Sequence, residues 1–339
     1  MKKINIIILL IVVVTFLIPI AFTKKFDSKL VCNNGIDNIE KGIKEEKIDK
    51  NYEYKNDKFK KIKVLHTKEN KIEELDLDEY LLGVVSAEMP VNFEMEALKA
   101  QAVVARTYTI NKIENSKGKH ENADICDDYT CCQAWISKEN RLARWEDDKK
   151  EENWKKIEEA VYSTAGKIAT YNGKAINAFF HSNSGGKTEE VSNVWGGKDL
   201  PYLQSVKTSG EDAYSQYESE VNLTKEEFEN KIKEKHSEFV IDYNDKGCIK
   251  VIEYTNGDRI KTIKIGNLEL SGVEVRNLIG LRSANFKTEI SENNIKFSVK
   301  GYGHGVGMSQ TGADSLAKQG KNYEEIIKHF YQGVEITNL

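Results

Sequence analysis

The sequence predicts an α+β fold, a body of mixed helices and antiparallel strands behind an N-terminal transmembrane helix. Three observations predict it. Small and apolar residues recur at helical offsets across 93–108, which marks a long packed helix. Asn172-Gly173 and Asn256-Gly257 each separate two β-prone runs, which marks hairpins. Residues 4–22 carry no charge and are flanked by Lys2, Lys3, Lys24 and Lys25. The chain accordingly divides into an anchor at 1–25, a polar tether at 26–58 and a body at 59–339, in which residues 209–283 read as an inserted second subdomain. With 339 residues, 39% of them apolar, it can build one large or two modest cores.

At a rise of about 1.5 Å per residue, the run at 4–22 spans about 28 Å, close to the hydrocarbon thickness of a bilayer. Residues 18–23 lack a small-x-small cleavage pattern, and Cys32 has no lipidation context before it. An uncleaved anchor is therefore expected rather than a signal peptide. The body is assigned to the outer face, because one short anchor behind two lysines is the usual export arrangement. Net charge is −4 and no basic, aromatic-rich tract occurs, which argues against nucleic acid and leaves an uncharged or mildly acidic polymer as a partner.

The body opens with a strand at 59–65, where apolar residues alternate with lysines, followed by a helix at 75–85. Asp76 or Asp78 caps that helix, and Pro90 drives Met89 out of the helical region, so the helix ends close to Glu88. One carboxylate is thereby set at a helix-to-turn corner; the alternative is an ordinary solvated loop acid. A second helix begins after Asn92, with Phe93, Ala97, Ala100, Gln101, Val104, Ala105 and Tyr108 on its packed side. Lys99 and Arg106 share another face, suited to lining a cleft.

Five cysteines are an odd number for a disulfide framework in an exported protein. Cys126, Cys131 and Cys132 lie within seven residues, and His120 stands six before the first. Four such donors around a short polar turn suit one tetrahedral zinc, and a site so filled leaves no open position for catalytic water, so a structural clip is expected. A disulfide from Cys126 to Cys131 or Cys132 competes with this reading. Cys32 and Cys248 look isolated, or pair with each other.

Residues 140–161 describe an amphipathic helix carrying Trp145, Trp154, Ile157, Ala160 and Val161. The hairpin at 167–180 then delivers its last strand into His181-Ser182-Asn183-Ser184-Gly185-Gly186, a polar segment suited to facing a ligand. Thr224 with Glu227 and Ser271 with Glu274 cap helices, and strands are expected at 240–243, 248–254 and 260–265. After a hairpin at 286–299 comes Gly301-Tyr302-Gly303-His304-Gly305-Val306-Gly307-Met308-Ser309-Gln310, which matches no phosphate-loop pattern. It is expected to shape a groove wall, with His304 and Gln310 offering hydrogen bonds, or else to form a tight core turn. Asn322 with Glu325 caps the last helix.

Four of these motifs occur in a known order: Glu88-Met89-Pro90; Lys99-Ala100-Gln101-Ala102 with Ala105-Arg106-Thr107-Tyr108; Ser182-Asn183-Ser184-Gly185-Gly186; and Gly303 to Gln310. From about residue 75 to the C-terminus the chain resembles the stage II sporulation protein D family, membrane-anchored lytic transglycosylases of endospore-forming bacteria. The resemblance implies an anchor in the mother-cell membrane, with the body facing the space around the forespore during engulfment. It makes Glu88 the catalytic acid and peptidoglycan glycan, preferably stripped of stem peptides, the substrate. The chain's resemblance to some clostridial members also implies zinc held after the long helix by two histidines and two cysteines; here His120, Cys126 and Cys132 match, and Cys131 stands where a second histidine is expected. A stem-peptide amidase and an integral membrane protein of the engulfment complex are the implied partners.

On that resemblance, Glu88 protonates the leaving oxygen between N-acetylmuramic acid and N-acetylglucosamine and then serves as base for a 1,6-anhydro product, with no cofactor in the chemical step. Lys99, Arg106, Ser182, Ser184, Tyr302, His304 and Gln310 are the candidate groove contacts. The rival readings are a zinc-dependent cell-wall hydrolase and a non-catalytic glycan-binding scaffold.

Overall fold

A computed structural model describes residues 52–115 and 119–339. The anchor expected at 1–25 and the tether as far as residue 51 lie outside the described residues; among those described, no helix is long and apolar enough to cross a membrane.

Strand β1 (Lys61–His66) buries Ile62 and Val64 and turns through Asn70 into β2 (Lys71–Asp76), its antiparallel partner. Helix α1 (Leu77–Glu88) follows, then α2 (Met95–Asn115) and the short β3 (Ile125–Cys126). The expected helix at 140–161 is two pieces, α3 (Lys138–Leu142), capped by Ser137, and α4 (Lys150–Tyr162). Asn172 and Gly173, both at positive φ, turn β4 (Lys167–Tyr171) into β5 (Lys174–Ala175), and the chain runs on to β6 (Phe180–His181) and α5 (Val191–Trp195).

A second hydrophobic core is built from β7 (Glu218–Thr224), α6 (Lys225–Lys233), β8 (Ile249–Tyr254), β9 (Ile260–Ile265), β10 (Leu268–Ser271), α7 (Gly272–Ile279), β11 (Phe286–Ile290) and β12 (Asn294–Lys300). Its sheets run β10-β9-β8 and β11-β12-β7, with Phe228, Phe239, Ile263 and Phe297 packed between them and the two helices. The chain then re-enters the first core through β13 (Met308–Ser309), α8 (Gln310–Lys318), α9 (Tyr323–Phe330) and β14 (Glu335–Asn338).

Helix α2 organises the first core. It is buried on nearly every face, and α1, α4, α8, α9 and β4 pack around it, which its small residues allow. Asp314 of α8 accepts from Glu94 N at 2.6 Å, holding the chain where α2 begins.

Four expectations need correction. Residues 71–76 form a strand before the first helix; their side chains are largely exposed, so burial left no alternation to read. Asp76 occupies the cap position of α1 without a side-chain cap bond, and Asp78 turns inward instead. Residues 240–243 are irregular, since Phe239 beside them serves as a plug of the second core. The sheets are not purely antiparallel, because β3 pairs with β1 and β6 with β13 in parallel.

Arg106 does not line a cleft. Its side chain is fully buried, with Nη2 bonded to Asp78 Oδ1 at 3.0 Å and to Val161 O, and Nη1 to Thr164 O and Lys167 O. Tyr54 donates to the same Asp78 oxygen. Arg106→Met should therefore destabilise the fold by about 3–5 kcal/mol in chemical denaturation, because Asp78 and the carbonyls lose a buried donor. An unchanged unfolding midpoint would return Arg106 to the surface role first expected.

Candidate active site

Glu88 closes α1 because Pro90 holds Met89 in an extended conformation, φ −115° and ψ 140°. Its Oε1 accepts from Ala134 N at 2.7 Å, and its Oε2 accepts from Gln310 Nε2 at 3.4 Å. Both donors are neutral, and among the described residues no charged group shifts it further. Burial therefore dominates, raising the pKa from 4.5 to about 7 while the two hydrogen bonds oppose it.

Each donor is positioned from behind. Gln133 is buried and its Nε2 donates to Tyr80 on α1 and Thr109 on α2, which pins the segment carrying Ala134 between the two helices. Gln310 opens α8, and Gln101 Oε1 on α2 lies 3.5 Å from its Nε2.

Gln310 also joins Glu88 to the two glycine-rich segments. Asn183 and Tyr302 exchange backbone hydrogen bonds, β6 pairs with β13, and Thr311 N donates to Ser182 O. Beneath them Glu211 accepts from Ser184 N and Oγ, Gly186 N, Thr208 Oγ1, Ser309 Oγ and Thr311 Oγ1. These donors outweigh burial and hold its pKa below the usual range. Arg259, reaching in from the second core, donates to the carbonyls of Ser184, Lys187 and Gly257. His181 donates Nδ1–H to Val306 O, and burial beside Arg259 lowers its pKa to about 3, so it is neutral.

Of the sequence candidates, only Gln310 touches Glu88. Ser184 is fully buried against Glu211 and does not face a groove. Ser182 is half-buried at the junction of the two segments, and Tyr302 is 43% exposed on the rim. His304 is half-buried; its Nδ1 accepts from Val306 N, and burial keeps its pKa well below the usual range. Lys99 pairs with Glu96 at 2.9 Å near the start of α2. Sequence reasoning missed Ala134, whose contribution is backbone and leaves no side-chain signal, and Glu211 and Arg259, whose flanking charges read as ordinary surface loop residues.

His120, Cys126, Cys131 and Cys132 place their donor atoms within 4.8 Å of one another. His120 Nε2 lies 3.4 Å from Cys132 Sγ and 3.7 Å from Cys131 Sγ, and the last two sulfurs are 3.9 Å apart. A tetrahedral zinc site has edges of about 3.6 Å for N–S and about 3.8 Å for S–S, so this donor set fits one ion. The cysteines are free thiols, not the disulfide that competed in the sequence, and Cys132 lies two residues before Ala134.

A family model described as stage II sporulation protein matches residues 65–171. The stage II sporulation protein D of Bacillus amyloliquefaciens is 38% identical over 277 residues, 81% of this chain and 78% of that one. The chain belongs to the stage II sporulation protein D family. The Bacillus subtilis stage II sporulation protein D is 36% identical over the same shares, and the amidase enhancer of Bacillus subtilis 27% identical over 76% of this chain and 40% of its own length. In this member of the stage II sporulation protein D family, the span matched by the family model holds Glu88 and the four soft donors. Gln310 and both glycine-rich segments lie beyond it.

Glu88 also makes stability depend on pH. An acid whose pKa is raised by folding contributes stability that is whole below its unfolded value of 4.5 and is lost as pH rises through about 7. Glu88→Gln removes that dependence, so between pH 4.5 and pH 8 the thermal midpoint of the variant should gain on the wild type. A difference constant with pH would contradict the burial of this carboxyl.

Proposed function

We propose that this member of the family is a peptidoglycan lytic transglycosylase with Glu88 as its single catalytic carboxyl. The observation that carries the reading is that carboxyl: half-buried, with a pKa of about 7, held by two neutral donors and with no second carboxylate acting on it among the described residues. Such a group is available both as acid and as base near neutral pH.

Protonated Glu88 gives its proton to the glycosidic oxygen as the bond to the muramic acid C1 breaks and the ring takes on oxocarbenium character. The carboxylate left behind takes the proton of the same sugar's C6 hydroxyl, whose oxygen closes on C1. The products are a 1,6-anhydro end and a free GlcNAc hydroxyl, and no water is consumed. The Ala134 and Gln310 donors stabilise the carboxylate between the two steps.

His120, Cys126, Cys131 and Cys132 would hold zinc, which supplies no chemistry to the reaction and fixes the segment leading to Ala134. Four protein donors leave no open coordination position, which disfavours the zinc-hydrolase reading. The substrate is glycan freed of stem peptides, and the likeness to the amidase enhancer supports a stem-peptide amidase as partner. An anchor at 1–25 would keep the body on the outer face of the membrane, in reach of the wall.

Glu88→Gln should keep glycan binding and abolish anhydro product, read by mass spectrometry of digested peptide-free strands; undiminished product would end the assignment. Wild-type kcat/KM should fall as pH rises through about 7, because the acid form starts the reaction. Cys126→Ser should lower both the bound zinc, measured by elemental analysis, and the thermal midpoint. Wild-type protein carrying no metal and an intact disulfide would rule out the clip.

A further inference from the structure

Where the glycine-rich loop meets the second core, a narrow cleft of only about 10 Å³, room for a single water, is lined by Asn193, Arg259, Arg276, Gly303 and His304, among others, so a larger ligand would lie across its mouth. Arg276 lines it and Arg282 stands beside it over Tyr302, neither with an acidic partner among the described residues, whereas Arg259 is taken up by backbone carbonyls. Arg276, half-buried on α7, has one weak bond from Nε to Leu281 O at 3.4 Å, and its burial is offset by no nearby carboxylate. Arg282 lies 5.0 Å over the ring of Tyr302 and passes its carbonyl to Gly303 N. Glu189 also lines the cleft, but its oxygens are taken by Thr255, Asn193 and Glu190 N. The imidazoles of His181 and His304 are neutral and the Glu189 charge is set against Arg259, which leaves Arg276 and Arg282 as the cations here with no carboxylate of their own among the described residues.

Two exposed aromatic rings adjoin residues that line the cleft. Trp195 is 52% exposed at the end of α5 and lies 4.9 Å from the His304 ring, and Tyr302 is 43% exposed. Trp195 also packs on Phe179 at 4.8 Å and Tyr302 carries Arg282 over its ring, so each keeps only part of its surface in water. A partly exposed ring held in this way suits stacking on the apolar face of a sugar, and a guanidinium without a carboxylate partner suits bidentate binding of one. An uncharged sugar would leave both arginines unused.

We propose that Trp195, Tyr302, Arg276 and Arg282 form a subsite for a sugar ring bearing a carboxylate, which in peptidoglycan is the lactyl ether of a muramoyl residue without its stem peptide. The proposal rests on the glycan reading above and adds a source of selectivity. A stem peptide converts that carboxylate to an amide, which removes the charge the arginines would pair with.

Two probes test it: a peptide-free tetrasaccharide of alternating N-acetylglucosamine and N-acetylmuramic acid, and the same compound with its lactyl groups converted to methylamides. Calorimetric titration of the wild type and of Glu88→Gln should show the acid form bound about tenfold or more tighter in both, less so at high salt. In R276Q/R282Q the acid form should fall to the affinity of the amide, while Trp195→Ala should weaken both probes by about two- to tenfold. Arg276→Lys, which keeps charge and packing, should retain part of the preference, and thermal midpoints identify any variant that has lost its fold. Equal wild-type affinity for the two probes, or a preference that survives in a folded R276Q/R282Q, overturns the subsite. Preference without cleavage would overturn the transglycosylase reading alone, and cleavage without preference the subsite alone.

Discussion

The site depends on one constraint: the carboxyl of Glu88 is largely shielded from water without being given a charge to pair with. A cation beside it would hold it ionised, and bulk water would leave it near its ordinary pKa of 4.5. Meeting the constraint takes three remote pieces of chain. The end of α1 supplies the acid, the segment behind the cysteines supplies the Ala134 N–H, and the first turn of α8 supplies Gln310. Helix α2 brings them together, since Gln101 and Thr109 on it contact Gln310 and Gln133. A helix buried on nearly every face is what allows the three to register against one surface.

Three acids inside the same fold show how surroundings divide the labour. Asp78 faces the Arg106 guanidinium and the Tyr54 hydroxyl and serves the fold. Glu211 is equally inaccessible, but six N–H and O–H donors converge on it, and it stays ionised as the knot between the two glycine-rich segments. Glu88 has only two neutral donors, one of them long, so desolvation prevails and its proton is held near neutral pH. Donor count and charge separate the roles; residue type does not.

This division explains what the sequence could and could not show. Pro90 announced the end of α1, the small residues at 97–105 announced the central helix, and the capping boxes at Thr224 and Asn322 are formed as read. Those signals are local, fixed by a few neighbouring residues. The pairing of β6 with β13 joins segments far apart in the chain through two residues each, and no local pattern encodes it. Arg106 was misplaced for a related reason. Helical spacing gives the direction of a side chain but not what stands opposite, and opposite Arg106 stand Asp78 and carbonyls at the end of α4 and the start of β4. Ser184 read as a ligand contact because its neighbours are polar and small; the acid it serves, Glu211, is 27 residues away.

The glycines of the last motif follow from the same packing. Gly305 has φ +85°, and a Cβ there would stand 2.2 Å from Arg259 Nη2; Gly307 has φ +73°, and a Cβ there would stand 1.9 Å from Phe179 O. Both positions therefore need a left-handed backbone and an empty side-chain volume. Arg259 comes from the second core and Phe179 from the first, so this run is where the two cores are fastened, and its density of glycine answers to that fastening before any ligand. His304 and Tyr302, set between the glycines, are held by a backbone that both cores constrain, as is Gln310 at the run's end. The hydrogen-bond donor of Glu88 and the rings beside the arginines are thus carried by one stretch of backbone, and a substitution at Gly305 or Gly307 would disturb both ends together.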